Sequence, residues 1–348
     1  MKNNKGASSD KNETVSLALG QIEAAVSSRY SNKELATVLL SISKETPCIS
    51  FDDTTYTYGI AGSVAFYFVS FLIPDDGTLK VLAIVILLVW LSISTWVLVS
   101  RSIRISKISR KLQSLYEANL MNLVEEDIDP VEKAEELASY YYEFQRGDYL
   151  SEVTSLHTGL ARGNTADIAY ELIQFHWVNE RTVVRTYTDA NGNKQEREEK
   201  VYDHFYRTAI LAQIDVATEL YVYNYGGTSR GVRWKSTSSM FNGIYKVHGA
   251  SEIEIAKLLK PAMVLLLEKL AGEFRGLNFE FSMDKTLLIS MNESQLLESS
   301  IKICIANPAM AAEQLNTQAS QPKIVSLLSV VDEISRYSIN ELRRGRSN

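Results

Sequence analysis

The feature that most constrains the fold is a run of nineteen residues without a charged side chain, VLAIVILLVWLSISTWVLV at positions 81–99. A helix of that length spans about 28 Å at ~1.5 Å per residue, close to the ~30 Å hydrocarbon core of a bilayer. A core helix of a soluble domain is normally apolar along one stripe, whereas this run is apolar nearly all round. It therefore predicts a helix that crosses a membrane.

A second uncharged block of eighteen residues precedes this run, at positions 56–73. It is more aromatic, contains Gly59 and Gly62, and is separated from the longer run by the short polar sequence PDDGTLK. The two blocks together predict a transmembrane helical hairpin over 56–100. The alternative is a hairpin buried in the core of a soluble domain.

A basic segment, RSIRISKISRK, directly follows the longer run, while the loop between the blocks contains one base, Lys80. Because lysine and arginine concentrate on the cytoplasmic side of short loops, both chain termini are expected in the cytoplasm. Such residues can also attract anionic lipid, by about 1 kcal/mol each. The segment therefore predicts a topology signal alone or, alternatively, a topology signal that also contacts membrane lipids. Its basic residues are Arg101, Arg104, Lys107, Arg110 and Lys111.

The rest of the chain predicts helices around a membrane hairpin, followed by a cytoplasmic α+β domain with antiparallel strands. The boundaries are a polar tail with helices at 1–55, the hairpin at 56–100, a juxtamembrane helical segment at 101–160 and the α+β domain at 161–348. A helix leaving the membrane is indicated by apolar residues at 3-4-3 spacing, namely Ile105, Ile108, Leu112 and Leu115. A fragment that begins near Leu112 is expected to fold alone.

Two local motifs predict helix starts. The sequence SNKE at 31–34 is a capping box, in which the serine hydroxyl and the glutamate carboxylate each accept a backbone N–H. Asp129 followed by Pro130 predicts an N-cap and a first helical residue, because proline lacks the N–H that is unpaired there in any case. Pro261 is expected to break or kink the helical run KLLKPAMVLL.

Several segments predict antiparallel strands. Asn191-Gly192 is a strong hairpin signal, and a two-residue turn there would place Arg185 opposite Glu198 as a favourable cross-strand pair. TELYVYNY predicts another strand, whose tyrosines share one face that sheet packing explains without a ligand. LNFEFSM alternates polar and apolar residues, and a turn at Asp284-Lys285 leads into the strand TLLISM.

The sequence contains no recognisable catalytic, cofactor or metal motif. The histidines, His157, His176, His204 and His248, lack metal-site spacing and are interpreted as hydrogen-bonded structural residues. YGGTSRGVRWKS has the glycine spacing of a phosphate loop but carries Val232 where lysine is required. Cys48 and Cys304 suggest no disulfide framework, and the net charge of −6 argues against a nucleic-acid partner.

The stretches FNGIYKVHGASEIEIAKLLKPAMVLLLEKL and LNFEFSMDKTLLISM resemble a bacterial family of two-span membrane proteins, domain-of-unknown-function family 3137. The resemblance covers about residues 55–340. The chain departs from it at Lys260, where a small hydroxyl residue is expected, and at 249–251, where the helix start is less acidic. The resemblance implies a bacterial inner-membrane protein with a cytoplasmic domain and suggests a LemA-type membrane protein as partner. It implies no activity and no site residues.

These observations favour a non-enzymatic interaction or scaffold module on the cytoplasmic face of a bacterial inner membrane. One alternative is a membrane-tethered enzyme with an unrecognised site, which would be supported by a pocket that gathers histidines with carboxylates. Another is a small channel, which two spans can form only by oligomerising. The sequence leaves the oligomeric state open.

Overall fold

The computed structural model describes residues 4–70, 77–164, 167–188, 194–293 and 295–345. The chain divides into two compact units. The first, the helical unit, comprises residues 1–120 and 299–320. The second, the sheet unit, comprises residues 121–298 and 321–348.

Helices occur in both units. They are α1 Asn4–Ser27, α2 Asn32–Glu45, α3 Thr54–Ser70, α4 Gly77–Leu120, α5 Pro130–Tyr140, α6 Ser239–Ile244, α7 Glu252–Leu258, α8 Pro261–Glu273, α9 Pro308–Asn316 and α10 Pro322–Gly345. A 3₁₀ turn at Tyr142–Gln145 follows α5. Both predicted caps are confirmed: Ser31 and Glu34 form the capping box of α2, and the Asp129 carboxylate accepts from the backbone N–H groups of Val131 and Glu132.

The helical unit is built around the C-terminal part of α4. The predicted seam is confirmed, because Ile108 and Leu112 are buried and Ile105 and Leu115 pack against the same cluster. That cluster also contains apolar residues of α1, α2 and α9, among them Leu19, Leu39 and Leu315. The Tyr116 hydroxyl donates to the Thr317 carbonyl at 2.9 Å, which ties α4 to the end of α9.

Residues 299–320 correct the boundaries predicted from the sequence. Helix α9 belongs to the helical unit and packs on α2, although the sequence assigned it to the α+β domain. The segment 101–160 is not helical throughout, because it contains α5, the 3₁₀ turn and a long strand that begins at Leu150. A fragment that begins at Leu112 would lack α1 and α2, which share a core with α9. The expectation that this fragment folds alone is therefore no longer supported.

The apolar helices of the helical unit lie against each other. Helix α3 packs on α4. Trp90 lies so close to Gly59 that a side chain at this position would clash, because its Cβ would be 2.5 Å from the indole nitrogen. One helix among the described residues is long and apolar enough to cross a membrane, over Ile84–Leu120, and 6% of its most apolar stretch is buried. Large apolar side chains on α4 are strongly exposed, including Val81 at 61%, Ile86 at 60% and Trp96 at 71%.

The sheet unit contains the antiparallel sheet that the sequence predicts. Its strands are β1 Val124–Glu125, β2 Leu150–Arg162, β3 Asp167–Thr188, β4 Lys194–Gln213, β5 Leu220–Tyr223, β6 Val232–Trp234, β7 Lys246–Gly249, β8 Asn278–Phe281 and β9 Thr286–Met291. Over the described residues these nine strands form one sheet in the order β1-β2-β3-β4-β9-β8-β5-β7-β6. Every strand pairing over the described residues is antiparallel, so the α+β class is confirmed.

The register of β3 and β4 differs from the prediction by one residue. Arg185 lies opposite Arg197 and Val184 opposite Glu198, so Arg185 and Glu198 are on opposite faces and the predicted pair is wrong. The observed register centres on Asn191 instead of the Asn191-Gly192 peptide, which requires a loop with an odd number of residues. The turn itself, 189–193, lies outside the described residues. Arg185 instead pairs diagonally with Glu199, at 2.8 Å between Nε and Oε2.

One face of the sheet is covered by α5 and the 3₁₀ turn. Phe144 of the turn meets Phe175 edge-on, with ring centroids 4.9 Å apart, and Phe175 stacks on Trp177. The predicted break at Pro261 is confirmed, since α7 ends at Leu258 and α8 begins at Pro261. Helix α10 buries an apolar face with the 3.6-residue period of a helix, namely Ile324, Leu327, Leu328, Val331 and Ile334.

Candidate functional site

The basic segment, predicted as a topology signal with lipid contact as the alternative, is divided by the structure into two faces of α4. Arg101 and Arg104 are half-buried and face inward, whereas Lys107, Arg110 and Lys111 are exposed. The three exposed residues share one face, because positions three and four apart are neighbours on a helix. Only this outward face is open to an anionic surface.

Arg101 has a structural role in the helical unit. Its guanidinium forms an ion pair with Asp53 and lies 4.7 Å from the ring centre of Phe51 and 5.2 Å from that of Tyr56. Planar guanidinium groups stack on aromatic rings and pair with carboxylates at the same time. Arg101 therefore fastens α4 to the segment that leads into α3, just where the apolar run ends.

A recess of about 500 Å³ opens beside this arginine within the helical unit. Arg104 donates to the Ser16 hydroxyl at 2.9 Å across it. Its lining combines cations with hydroxyl and amide groups, so it can hold a small polar group next to the apolar helix. The lining residues are Asn12, Glu13, Ser16, Phe51, Ser100, Arg101 and Arg104.

The sheet unit brings together two of the histidines that lack any sequence motif. Glu152 Oε1 lies 2.7 Å from His176 Nδ1, and His176 Nε2 lies 3.0 Å from His204 Nδ1. The two ring planes are 1° apart with centroids 5.3 Å apart, which fits coplanar rings joined edge to edge. Tyr206 lies over His176 with ring centroids 4.4 Å apart.

When both imidazoles are neutral, this hydrogen-bond chain sets the tautomer of each ring. With Glu152 as an ionised acceptor, His176 donates from Nδ1, and its Nε2 can then accept from the Nδ1–H of His204. The remaining nitrogen, Nε2 of the exposed His204, carries a lone pair. The hydrogen-bond chain therefore places a proton-accepting nitrogen at the protein surface. Two nitrogens that point at each other across 3.0 Å leave no space for a metal ion between them.

A second polar cluster lies under the 3₁₀ turn and is buried. Glu143 Oε1 lies 2.8 Å from Nε of Arg207 and 2.8 Å from Nε of Arg146, and its Oε2 accepts from the Asn278 amide at 2.9 Å. The Arg207 side chain is 0% exposed, and its other nitrogens donate to Asn292 Oδ1 at 2.8 Å and to a backbone carbonyl at 2.5 Å. Burial lowers the pKa of Arg207, and the carboxylate of Glu143 opposes that shift.

The carboxyl of Glu280 belongs to the same buried cluster and has a raised pKa. It accepts from the backbone N–H groups of Tyr142 at 2.7 Å and Glu143 at 2.8 Å, so it caps the 3₁₀ turn. Burial, reinforced by the nearby negative charge of Glu143, raises the pKa of Glu280 to about 7, although both backbone bonds act in the opposite direction. Burial also raises the pKa of Tyr223, whose hydroxyl lies beside this carboxyl.

The other sequence-predicted candidates do not converge on a site. His157 lies on β2 and His248 on β7, where burial and the charge of Arg233 lower the pKa of His248. The glycine-rich segment after β5 forms a loop over 224–231 that leads into β6, and Gly226 lies against the Arg146 guanidinium. Both cysteines are free and exposed. No group of three or more metal-ligating side chains occurs among the residues that the structure describes.

Sequence reasoning missed the buried cluster and the histidine chain for different reasons. Glu280 sits at a polar position of an alternating strand, a pattern that predicts solvent exposure, but the 3₁₀ turn covers that face. Glu152, His176 and His204 belong to three strands, and only the register of β2, β3 and β4 places them together. The signal available in the sequence was an alternating YDHFY, which puts His204 and Tyr206 on one face.

Comparison with known proteins gave no relative. The chain matches no protein-family model, no curated protein and no solved structure.

Proposed function

We propose that this chain is a non-enzymatic interaction or scaffold module, anchored by a two-span helical hairpin to the cytoplasmic face of a bacterial inner membrane. Both termini lie in the cytoplasm, and the sheet unit is presented there to a partner. The observation that carries the proposal is the apolar surface of α4, whose large side chains are exposed on several sides.

Exposure of that surface to water would be costly. Burial of one large aliphatic or aromatic side chain is worth about 1.5–3 kcal/mol, and soluble monomers rarely expose a contiguous apolar patch above a few hundred Å². Lipid tails would cover the surface, whereas water would not. Helix α3, which packs on α4 and carries no charge over 56–70, would supply the second span. The resemblance to family 3137 supports the same arrangement.

The exposed basic face of α4 would then contact anionic lipid. Lys107, Arg110 and Lys111 follow the exposed apolar residues Val99 and Ile103 along the helix, so they would lie at the level of the lipid headgroups. Each charge near such a surface contributes about 1 kcal/mol. A LemA-type membrane protein is the partner that the resemblance suggests.

Binding is favoured over transport because the two apolar blocks lack charged residues, whereas transport paths normally keep ionisable groups inside the membrane. The channel alternative therefore requires an oligomer with an uncharged lining. The enzyme alternative is favoured by one observation, the chain from Glu152 through His176 to the exposed His204. A base of this kind would act on a substrate that docks beside Tyr206.

The test is affinity purification of the intact protein in mild detergent. Replacement of 56–99 by an unrelated two-span hairpin of the same topology should leave the co-purifying partner unchanged and the protein resistant to alkaline extraction from membranes. A wild-type protein that alkali extracts fully would exclude the anchor. The variants His176→Gln and His204→Gln test the enzyme alternative, with His248→Gln as control. If both lose cellular function while partner binding stays intact, the enzyme alternative replaces the interaction module.

A further inference from the structure

The distal part of the β3–β4 hairpin projects as a two-stranded ribbon, here called the β-arm, formed by residues 181–188 and 194–201. The pairs run from Arg181 opposite Val201 to Thr188 opposite Lys194. At about 3.4 Å per residue, this part of the ribbon is roughly 24 Å long.

The described part of the β-arm is open to solvent on both faces and along both edges. Its residues are exposed except for Val183 and Val201, which are half-buried. On one side, pairing of β2 with β3 stops at Val178, and on the other side β9 pairs with β4 from Thr208 onward. An isolated two-stranded ribbon is marginally stable in water, so a ribbon of this length gains from a surface that covers it.

The two faces of the β-arm carry an excess of opposite charge over the same stretch of the ribbon, positive on one face and negative on the other. One face, the arginine face, places Arg185 directly opposite Arg197. Arg185 bonds to Glu199 at 2.8 Å and Arg181 to Asp203 at 2.5 Å, which leaves Arg197 without an ion-pair partner among the described residues. Like charges directly opposite one another destabilise a strand pair, so this face favours an added carboxylate.

The reverse face, the glutamate face, has a complementary surplus of one acidic charge, from Glu180, Glu196 and Glu198 against Lys194 and Lys200. Glu196 and Glu198 lie two residues apart and therefore point to the same side, opposite Thr186 and Val184. Neither has an ion-pair partner in the part of the chain that the structure describes, whereas Lys200 is paired with Glu180 at 2.8 Å. Two carboxylates thus stand directly behind the two arginines.

We propose that the β-arm binds a second copy of this chain, with the arginine face of one copy on the glutamate face of the next. Arg185 and Arg197 would meet Glu196 and Glu198 of the neighbour. This inference names a partner for the interaction module and to that extent rests on the proposed function. Tethering to one membrane raises the effective concentration of copies and gives them a common orientation. Contacts between unlike faces would then build rings or rows.

Charge reversal on one face at a time tests the proposal in the intact protein. Two differently tagged copies are co-expressed, solubilised in mild detergent and purified through one tag. Arg185→Glu/Arg197→Glu makes both faces acidic, and Glu196→Arg/Glu198→Arg makes both faces basic. Each variant should recover at least tenfold less of its own second copy than the wild type does. Expressed together, the two variants should recover each other.

The fourfold exchange of these charges sharpens the test. It should restore association of the variant with itself but not with the wild type, because unlike faces then carry like charge. Lys246→Glu/Lys257→Glu, which makes the same charge change at exposed sites off the β-arm, should leave recovery unchanged. Circular dichroism should show every variant folded, since the substituted side chains are exposed.

Three outcomes would overturn the proposal: a wild type that recovers no second copy, reversal variants that recover one normally, or failure of the two variants to recover each other. Normal recovery by the reversal variants would indicate pairing through the strand edges or another surface. Alkaline extraction of the same membranes separates this result from the anchor, because a protein lost from the membrane contradicts the proposed function whatever the β-arm does.

Discussion

Removal of the Arg207 guanidinium should destabilise the sheet unit more than any comparable change at its surface. The side chain is 0% exposed and its ion-pair partner Glu143 is 1% exposed. Arg207→Met keeps most of the volume but removes the charge. It leaves a buried carboxylate that only Arg146 balances, and it leaves the Gly276 carbonyl and the Ser290 hydroxyl without this donor.

The magnitude follows from the cost of an uncompensated buried charge. Breaking a buried ion pair by removal of one partner costs about 3–5 kcal/mol. For a domain of this size each kcal/mol lowers the midpoint of thermal unfolding by roughly 2–4 °C, so the expected fall is about 6–20 °C. The matched surface change, Arg181→Met, breaks a pair with Asp203 whose side chains are 57% and 36% exposed, so solvent screening should leave the unfolding midpoint nearly unchanged.

Thermal unfolding of the intact protein in detergent, followed by intrinsic fluorescence, measures both variants. Trp177 is a suitable reporter because it lies in the core that contains Phe144 and stacks on Phe205. The double variant Arg207→Met/Glu143→Leu should recover part of the loss, since it also removes the unbalanced carboxylate and leaves unpaired Arg146, whose side chain is 15% exposed. A shift below about 2 °C for Arg207→Met, or a double variant less stable than the single one, would refute the reasoning.

Three further predictions concern pH, backbone strain and topology. Because the pKa of Glu280 rises from 4.5 to about 7 on folding, the folded protein holds a proton that the unfolded chain releases between these values, so stability falls as pH rises through that window. Denaturation at pH 5 and at pH 8 should show that the free energy of unfolding falls by about 3 kcal/mol over this range. The fall should be smaller in Glu280→Gln. Gly231→Ala should cost about 1–3 kcal/mol because φ is +78° and a Cβ would lie 2.3 Å from the Gly249 carbonyl oxygen, whereas Gly243→Ala meets nothing within 4 Å and should not destabilise. With Cys48 and Cys304 replaced, an impermeant thiol reagent should label Gly77→Cys in intact cells and not Ser9→Cys; the reverse pattern would contradict cytoplasmic termini.

The Glu280 and Arg207 predictions address one cluster, and they differ in sign for a physical reason. Loss of Arg207 strands a charge that the fold has already buried. Protonation of Glu280 instead neutralises a buried charge, which the nearby carboxylate of Glu143 repels. Mild acid should therefore stabilise this part of the sheet unit until other carboxylates titrate.

Local structure was largely predictable from the sequence because it depends on neighbours along the chain. Ser31 and Glu34 are three residues apart, so their capping box is visible before any fold is known. The same holds for Asp129 and Pro130, and for the seam of Ile108 and Leu112, where helical period alone decides which face is apolar.

Pairing across the chain was not predictable in the same way. The hairpin signal at 191–192 identified two strands correctly, but a shift of one residue moves each side chain to the other face of the ribbon. Arg185 therefore lies opposite Arg197 instead of Glu198, and the charge distribution on which the β-arm proposal rests appears only with the observed register.

The sequence by itself determined that a long uncharged run ends in a basic segment, because composition over nineteen residues needs no partner to be recognised. Only the tertiary structure decided which of those basic residues remain available. Asp53, Phe51 and Ser16 come from chain segments far from α4 and engage Arg101 and Arg104, while Lys107, Arg110 and Lys111 stay exposed. Likewise, Glu143, Arg207 and Glu280 form one buried cluster only because packing brings these distant side chains together. In that low-dielectric interior, the electrostatic free energy of each charge depends on the other two.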